Sequence, residues 1–431
     1  MKLFIFKIIF LSMFTTSLYA NIQLIKKENT DSNTTLLIIG GIHGDEPGGY
    51  FAASILASHY TISSKNLWIV PNLNKESILR NKRGVNGDMN RKFSKISHQD
   101  KDAKTVNEIK KIILDKKVSL VLNLHDGHGF YRKKNQSKIF NPNAWGQTCV
   151  IDQCDLDKNQ PFSNLNDIAL EVKKRMNKKL IKEHHSFDVR NTNTQFDDEA
   201  MQLSLTYFAV TNNKPAFAIE SSKNLSSLSQ KVFYQLLAIE EFMNIMGIKY
   251  SKEFELNEKN LSKIIKNYGN LSINANFTIN LTNIKKTLSF IPLKSKSNVF
   301  KFSHPLGRVL KKDDHFIAYI GNKKIVTLKP QYFKMKEKCT DKFEALIDKR
   351  LVSLNNTSEF LITDDVSIVS KNNYRVNVIG YTSKKYKNES GISIKLNDLD
   401  KRYSLDKDNK VYRVEFYKNN DFCSMIKIHF K

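Results

Sequence analysis

Two residues in the segment LLIIGGIHGDEPGGYFAASIL could bind a divalent metal together. His43 and Glu46 form an HxxE pair directly after an apolar run, which places an imidazole close to a carboxylate. A catalytic zinc site needs three protein ligands and one open position for water. His125, at the end of the run VSLVLNLH, could supply the third ligand, and His128 is the alternative. The pattern predicts one Zn²⁺ per chain, although an HxxE pair can also be a surface histidine and a helix N-terminal glutamate.

Alternating strands and helices must position these residues. Short apolar runs predict buried strands at TLLIIG, NLWIVPN, VSLVLNLH and PAFAIE. Apolar residues at helical spacing predict helices at PGGYFAASILASHY, DAKTVNEIKKIILDKK, LNDIALEVKKRMNKKL and LSQKVFYQLLAIEEFMNIMG. Such alternation is typical of an α/β domain with a largely parallel sheet and helices on both faces. Ligands at the carboxyl ends of neighbouring parallel strands then meet in one crevice.

Further polar residues follow other predicted strands. The segment IVPNLNKESILRNKRGVNGDMNRKFSK contains Arg83 and the pair Asn90-Arg91, and PAFAIESS places Glu220 at a strand end. A guanidinium can pair with both oxygens of a carboxylate at once, so the two arginines could form an anion site. Because lysine and arginine are frequent in this segment, the alternative for each arginine is a solvated charge. The alternative for Glu220 is an exposed strand end.

These motifs, in this order, resemble the zinc carboxypeptidases of the funnelin family. The resemblance covers roughly residues 35–225 and includes Asp88-Met89-Asn90-Arg91 as a counterpart of the family's "DLNR"-like motif. It implies a carboxypeptidase-like mixed sheet flanked by helices. It also implies that zinc is bound by His43, Glu46 and His125, the substrate's terminal carboxylate by Asn90 and Arg91, and the polarised carbonyl by Arg83, with Glu220 as general base.

Within this family the whole chain is most similar to the periplasmic peptidoglycan DL-carboxypeptidases that determine helical cell shape. Some members of that subgroup are expected to have glutamine at the first ligand position, where this chain has His43. The resemblance implies removal of meso-diaminopimelate from tripeptide stems, by cleavage of its bond to the γ-carboxyl of D-glutamate. Trp145 and Thr206 would contact the diaminopimelate side chain.

Other activities stay open at this point. An LD-carboxypeptidase or an endopeptidase would act on the same wall peptides, and a non-catalytic scaffold would only bind them. Succinylglutamate desuccinylases and aspartoacylases would share the zinc residues, but they are cytoplasmic and lack a long β-rich second half. Retention of all three ligands and of Glu220 favours an enzyme over a scaffold.

The first twenty residues, MKLFIFKIIFLSMFTTSLYA, have the outline of a signal peptide. Cleavage after Ala20 predicts a periplasmic protein with no stable membrane insertion, and an uncleaved anchor is the alternative. The net charge of +26 would ordinarily suggest nucleic-acid binding, but the lysines are scattered along the chain. Export therefore excludes nucleic acid, and the resemblance implies peptidoglycan stem peptides as the partner. The sequence does not indicate an oligomeric state.

A length of 431 residues exceeds that of one ordinary domain. We expect a signal peptide at 1–20 and a zinc carboxypeptidase domain at 21–248. Alternating apolar and polar residues then predict two small antiparallel β domains, at 249–335 and 336–431, the last of immunoglobulin-like size. Four cysteines in an exported protein predict two disulfides. Proximity favours Cys149 with Cys154, and Cys339 and Cys423 bracket the last domain.

Overall fold

A computed structural model describes residues 22–29, 32–157, 159–335, 342–382 and 387–431. The chain divides into two units, Met1–Ile265 and Lys266–Lys431. The predicted signal peptide lies outside the described residues, and the predicted domain boundaries at 248 and 335 stay predictions. Among the described residues, no helix combines the length and apolar character that crossing a membrane requires.

A mixed seven-stranded sheet forms the centre of the first unit, in the order β1-β4-β2-β5-β10-β8-β9. The pairs β4-β2, β2-β5, β5-β10 and β8-β9 are parallel, whereas β1-β4 and β10-β8 are antiparallel. The described strands of this unit are β1 (Ile25–Lys27), β2 (Thr35–Gly40), β3 (Tyr60–Ile62), β4 (Asn66–Val70), β5 (Val118–Gly127), β6 (Phe130–Tyr131), β7 (Phe140–Asn141), β8 (Thr148–Ile151), β9 (Asp188–Asn191), β10 (Ala216–Ser222) and β11 (Tyr250–Lys252).

Helices flank this sheet. The described helices that begin in this unit are α1 (Pro47–His59), α2 (Lys75–Leu79), α3 (Ala103–Ile113), α4 (Leu165–Met176), α5 (Thr194–Asp197), α6 (Leu205–Thr211), α7 (Leu228–Ile245) and α8 (Glu258–Lys266), and α1, α3, α4, α6 and α7 contact the sheet. Helix α1 packs on β2, β5 and α7. Its first turn lies unusually close to β5, since a Cβ at Gly49 would come within 2.8 Å of the Leu124 carbonyl oxygen. Only glycine permits this approach, which brings the start of α1 to the end of β5.

The four predicted strands and the four predicted helices are all present in the first unit. The mixed sheet flanked by helices that the resemblance implied is confirmed, since β1-β4 and β10-β8 are antiparallel while the other pairs are parallel. The sequence pattern did not predict β8 as a strand. Helix α8 lies in a segment that we expected to contain only strands. Leu261 is its one buried residue, but Leu261, Ile264 and Ile265 follow the spacing of an amphipathic helix, so the prediction for this segment was wrong.

The second unit is built from β-sheets. Its described strands are β12 (Asn270–Ile273), β13 (Phe277–Asn280), β14 (Thr287–Leu293), β15 (Phe300–Phe302), β16 (Gly307–Lys312), β17 (His315–Ile320), β18 (Lys323–Tyr332), β19 (Phe343–Ile347), β20 (Arg350–Leu354), β21 (Glu359–Ile362), β22 (Asp365–Ile368), β23 (Tyr374–Val378), β24 (Ile394–Lys395), β25 (Val411–Lys418) and β26 (Asp421–Phe430).

These strands form four sheets, with the orders β13-β12-β15, β14-β18-β17-β16, β20-β19-β22-β24 and β21-β26-β25-β23. The last two share one apolar core that includes Phe343, Val376, Phe416 and Ile428, which is the arrangement of a β-sandwich. The prediction of purely antiparallel domains was wrong at two pairs, because β14-β18 and β21-β26 are parallel.

The cysteines differ from the expected pairing. Cys149 and Cys154 are both free thiols, Cys149 buried within β8 and Cys154 exposed. The predicted disulfide between them is therefore wrong. Proximity in sequence could not show that Cys149 points into the core. Cys423 is disulfide-bonded, and Cys339 lies outside the described residues.

We expect alkylation of the native, unreduced protein to label Cys154 and to leave Cys149 unmodified. The thiol of Cys149 has no exposed surface, and burial raises its pKa, so the reactive thiolate is scarce until the protein unfolds. Peptide mapping after labelling with and without denaturant measures both sites. Recovery of a peptide in which Cys149 is linked to Cys154 would contradict the structure.

Candidate active site

The predicted site residues come from three adjacent central strands. His43 follows β2, His125 lies in β5, and Glu220 lies in β10, directly opposite His125 in the parallel register. Glu46 is the residue before α1, so its carboxylate stands at the helix N-terminus. The carboxyl ends of parallel strands thus bring together side chains that are far apart in sequence.

His43, Glu46 and His125 form one buried group whose ligand atoms all lie within 4.8 Å of one another. The Nδ1 atom of His43 is 3.0 Å from Glu46 Oε1, and that of His125 is 2.9 Å from Glu46 Oε2. The two Nδ1 atoms face each other at 3.2 Å. His128 does not belong to this group, although it lines the same cavity.

The donor set fits a metal ion. Two imidazoles and one carboxylate converge in a buried position, and the same ligand types hold catalytic zinc in known peptidases. Burial tends to raise the pKa of a carboxyl, yet the imidazoles of His43 and His125 hold that of Glu46 well below its usual range. The carboxylate is therefore charged, and a cation among these three side chains would balance it.

Asp88 contacts the ring of His43, an interaction that the sequence did not reveal. Its Oδ1 atom is 2.8 Å from His43 Nε2, and its Oδ2 atom accepts a hydrogen bond from Arg83 Nε at 2.9 Å. Metal-ligating histidines almost always donate their second nitrogen to such a partner, which fixes the tautomer and the ring orientation. The only signal in the sequence was that Asp88 begins the Asp-Met-Asn-Arg motif.

A second aspartate holds Glu46 and α1 in place. The backbone N–H of Asp126 donates to Glu46 Oε2 at 3.2 Å, and its side chain accepts from the Gly48 N–H at 2.8 Å and from the Ser221 hydroxyl. A Cβ at Gly48 would lie 2.3 Å from Asp126 Oδ1. Glycine at this position is therefore required for α1 to begin beside the metal ligands.

The predicted carboxylate-binding pair lies on a short turn, Met89–Arg91, next to α6. The side-chain oxygen of Asn90 accepts from the Leu205 N–H at 2.9 Å, which turns its NH₂ group away from that helix. Arg91 donates to the Asn90 carbonyl at 3.1 Å. No carboxylate among the described residues pairs with Arg91, so its guanidinium is available to form an ion pair with an anionic ligand.

Arg83 differs from Arg91, because it is already paired. Its Nη1 atom lies 3.1 Å from Glu46 Oε1 in addition to the bond to Asp88. These two contacts hold a half-exposed guanidinium at the edge of the metal ligands. In that position it can bind a carbonyl oxygen that approaches them.

Glu220 is partly exposed to the cavity. Burial of the carboxyl and the neighbouring carboxylate of Glu46 raise its pKa well above the usual value, and Asp126 adds to this effect. A carboxyl with a raised pKa beside a metal group can accept a proton and release it again.

One cavity of about 250 Å³ is lined by every predicted site residue. Trp145 and Thr206 lie in its wall, with the guanidinium of Arg190 stacked 3.9 Å from the Trp145 ring centre. Its lining residues are His43, Glu46, Arg83, Asn90, Arg91, His125, Asp126, Gly127, His128, Trp145, Val150, Met201, Thr206, Ala218, Glu220 and Lys223. The roles assigned to them stay predictions.

Two family models match the chain. Residues 2–266 match the catalytic domain of carboxypeptidases that control helical cell shape, and residues 336–431 match the C-terminal domain of a metallo-carboxypeptidase. No curated protein matches the chain.

Solved structures of cell shape determinant protein Csd4 from Helicobacter pylori are similar along nearly the whole chain. The apo structure has 33% sequence identity and a TM-score of 0.89, and the match covers 95% of this chain and 100% of that one. The mDAP-bound form, described as a D,L-carboxypeptidase, has 34% identity and a TM-score of 0.89, covering 94% and 100%. A tripeptide-bound form has 34% identity and a TM-score of 0.88, covering 95% and 100%. The chain therefore belongs to the metallo-carboxypeptidases that control helical cell shape.

Proposed function

We propose that this protein is a periplasmic zinc carboxypeptidase that removes meso-diaminopimelate from the tripeptide stems of peptidoglycan. The bond cleaved is the one between the γ-carboxyl of D-glutamate and diaminopimelate. The substrate class rests on the Helicobacter pylori relative, which is a D,L-carboxypeptidase solved with mDAP and with a tripeptide. The compartment rests on the first twenty residues and on the location of such a substrate.

The observation that carries this proposal is Arg91, a cation without a described carboxylate partner in the same cavity as the metal group. Together with the NH₂ group of Asn90 it can hold the free carboxylate of a terminal residue. An arginine offers two parallel N–H donors to a carboxylate, which fixes orientation as well as position. A site that requires a terminal carboxylate beside the metal group removes single residues from a chain end.

His43, Glu46 and His125 would hold the zinc, which when bound supplies Lewis-acid polarisation of the scissile carbonyl and an acidified water. Glu220 takes a proton from the attacking water and returns it to the leaving amine. Arg83 donates to the carbonyl oxygen as negative charge develops there. Trp145 and Thr206 contact the side chain of the terminal residue.

Amidation of the terminal carboxylate of a diaminopimelate tripeptide should reduce kcat/KM roughly 10- to 150-fold, the loss expected for hydrogen bonds to a charged group. The measurement is chromatography of the released amino acid for the acid and the amide. In Arg91→Ala the penalty for amidation should shrink, because both changes remove the same interaction. Lys95→Ala, which removes an exposed charge outside the cavity, should behave like the wild type.

Equal cleavage of acid and amide by the wild type would contradict the carboxypeptidase geometry and indicate an endopeptidase or amidase. Cleavage of a tetrapeptide stem after diaminopimelate, with the tripeptide left intact, would support an LD-carboxypeptidase. Inactivity on every wall peptide would favour a binding scaffold.

A further inference from the structure

A second cavity, of about 250 Å³, lies in the second unit and belongs to no part of the site described above. Its volume equals that of the first cavity, so the kind of ligand that it would hold has to be inferred from the groups that line it. Its described lining residues are Phe290, Gln331, Asn377, Val378, Ile379, Gly380, Tyr381, Thr382 and Tyr403.

Phe290 is held in an unfavourable conformation at the edge of this cavity. Its φ angle is +57°, in the left-handed region that bulky residues rarely adopt, and 47% of its surface is exposed. It lies in a bulge of β14, where the register with β18 shifts between Leu288 and Ile291. Bulges commonly redirect a side chain next to a functional site. Strain of this kind persists only where the surrounding structure enforces it.

A buried cation enforces the bulge. Arg413 is 2% exposed and donates from Nη2 to the Ser289 carbonyl at 3.0 Å and from Nη1 to the Phe290 carbonyl at 3.2 Å. Its Nη1 atom is also 3.7 Å from Glu415 Oε1. Burying an arginine costs free energy that only good hydrogen bonds offset. The buried Arg413 therefore stabilises the backbone conformation in which the ring of Phe290 is exposed.

The groups around Phe290 define the chemistry of a ligand. Its ring centre is 6.0 Å from that of Tyr403, at 39°, so two aromatic faces border the cavity. Gln331 and Asn377 add side-chain amides, which have no hydrogen-bond partner among the described residues. None of the described lining residues is charged, in a protein whose net charge is +26.

A cavity bordered by aromatic faces and uncharged amides suits a sugar better than a peptide stem. The C–H groups on one face of a pyranose ring pack on the negative face of an aromatic ring. Amides both donate and accept, as hydroxyl and acetamido groups require. A stem peptide carries carboxylates and would call for cations, which line the first cavity and not this one. We propose that the second cavity binds a neutral pyranose ring of a glycan chain.

The test uses the full protein and two probes, a tetramer of N-acetylglucosamine and a tetramer of glucose, in titration calorimetry. We expect the wild type to bind at least one of them. Phe290→Gly should weaken that binding roughly tenfold or more, because the stacking face is lost. Its melting temperature should stay close to the wild-type value, since glycine adopts a positive φ without steric cost. Tyr403→Ala should weaken binding similarly.

Tyr332→Ala is the matched control, because Tyr332 is also 47% exposed in the same unit but does not line the cavity. It should bind as the wild type does. The proposal is overturned if the wild type binds neither tetramer, or if Phe290→Gly and Tyr403→Ala bind as tightly as the wild type. Weaker binding of a stem tripeptide by Phe290→Gly would also contradict it, by assigning the cavity to peptides. Because carboxypeptidase activity is not part of the readout, failure here leaves the proposed function untouched.

Discussion

His125→Ala is expected to lose metal and carboxypeptidase activity together. The substitution leaves two of three ligands and opens a buried position between His43 and Glu46. Loss of a residue that is hydrogen-bonded to a metal ligand typically lowers metal affinity or activity 10–100-fold, so loss of a ligand itself should lower them further. Metal content by mass spectrometry should fall from one zinc per chain to a small fraction, and tripeptide hydrolysis should fall with it.

His128→Ala is the matched control, since His128 lines the same cavity without joining the ligand group. It should keep most of its metal. Circular dichroism establishes that both variants are folded before metal is measured. Stoichiometric zinc in His125→Ala, or loss of zinc in His128→Ala, would require a different third ligand.

Glu220→Gln should reduce kcat by about 100-fold or more, the usual loss when a general base is removed. Glutamine preserves the volume of the side chain and its place in β10, so zinc content and tripeptide binding should be retained. Steady-state kinetics and metal analysis of the same preparation measure both properties. The raised pKa of Glu220 fits this role, because a stronger base accepts the proton of water more readily.

Glu183→Gln makes the same chemical change at an exposed carboxylate outside the cavity and should leave kcat unchanged. Turnover of Glu220→Gln within a few-fold of wild type would show that another group moves the proton. Loss of zinc together with turnover would show that Glu220 supports the metal group rather than the reaction step.

The sequence could predict the central strands and the cavity residues for one physical reason. Parallel strands that are buried on both faces appear in the sequence as apolar runs. The polar residues that follow these runs therefore lie together at the carboxyl-terminal edge of the sheet. His125 and Glu220 follow this rule and lie opposite each other. Arg83, Asn90 and Arg91 lie on a basic loop without periodicity, so their residue types suggested only an anion site and their separate roles came from the resemblance.

Contacts between segments that are far apart in the chain could not be predicted from the sequence pattern. The bond between Asp88 and His43 joins residues 45 positions apart, and the burial of Cys149 depends on how β8 packs. In the second unit, the alternation of apolar and polar residues in LSINANFTINLT indicates β-structure but not the hairpin turn within it, where Asn274 and Ala275 have positive φ angles. Asparagine favours such a turn, but alternating apolar residues on both sides concealed it.

The central position of β2, β5 and β10 also determines which losses of structure the site can tolerate. Proteins open locally at the margins of a sheet far more often than at its middle, and such openings range from almost no free energy up to that of global unfolding. β1 and β9 are the outermost strands of the seven, so fraying there leaves His43, His125 and Glu220 in place. Hydrogen exchange should be slowest beside His125. Fraying of the sheet edges would therefore not by itself release a metal bound by His43, Glu46 and His125.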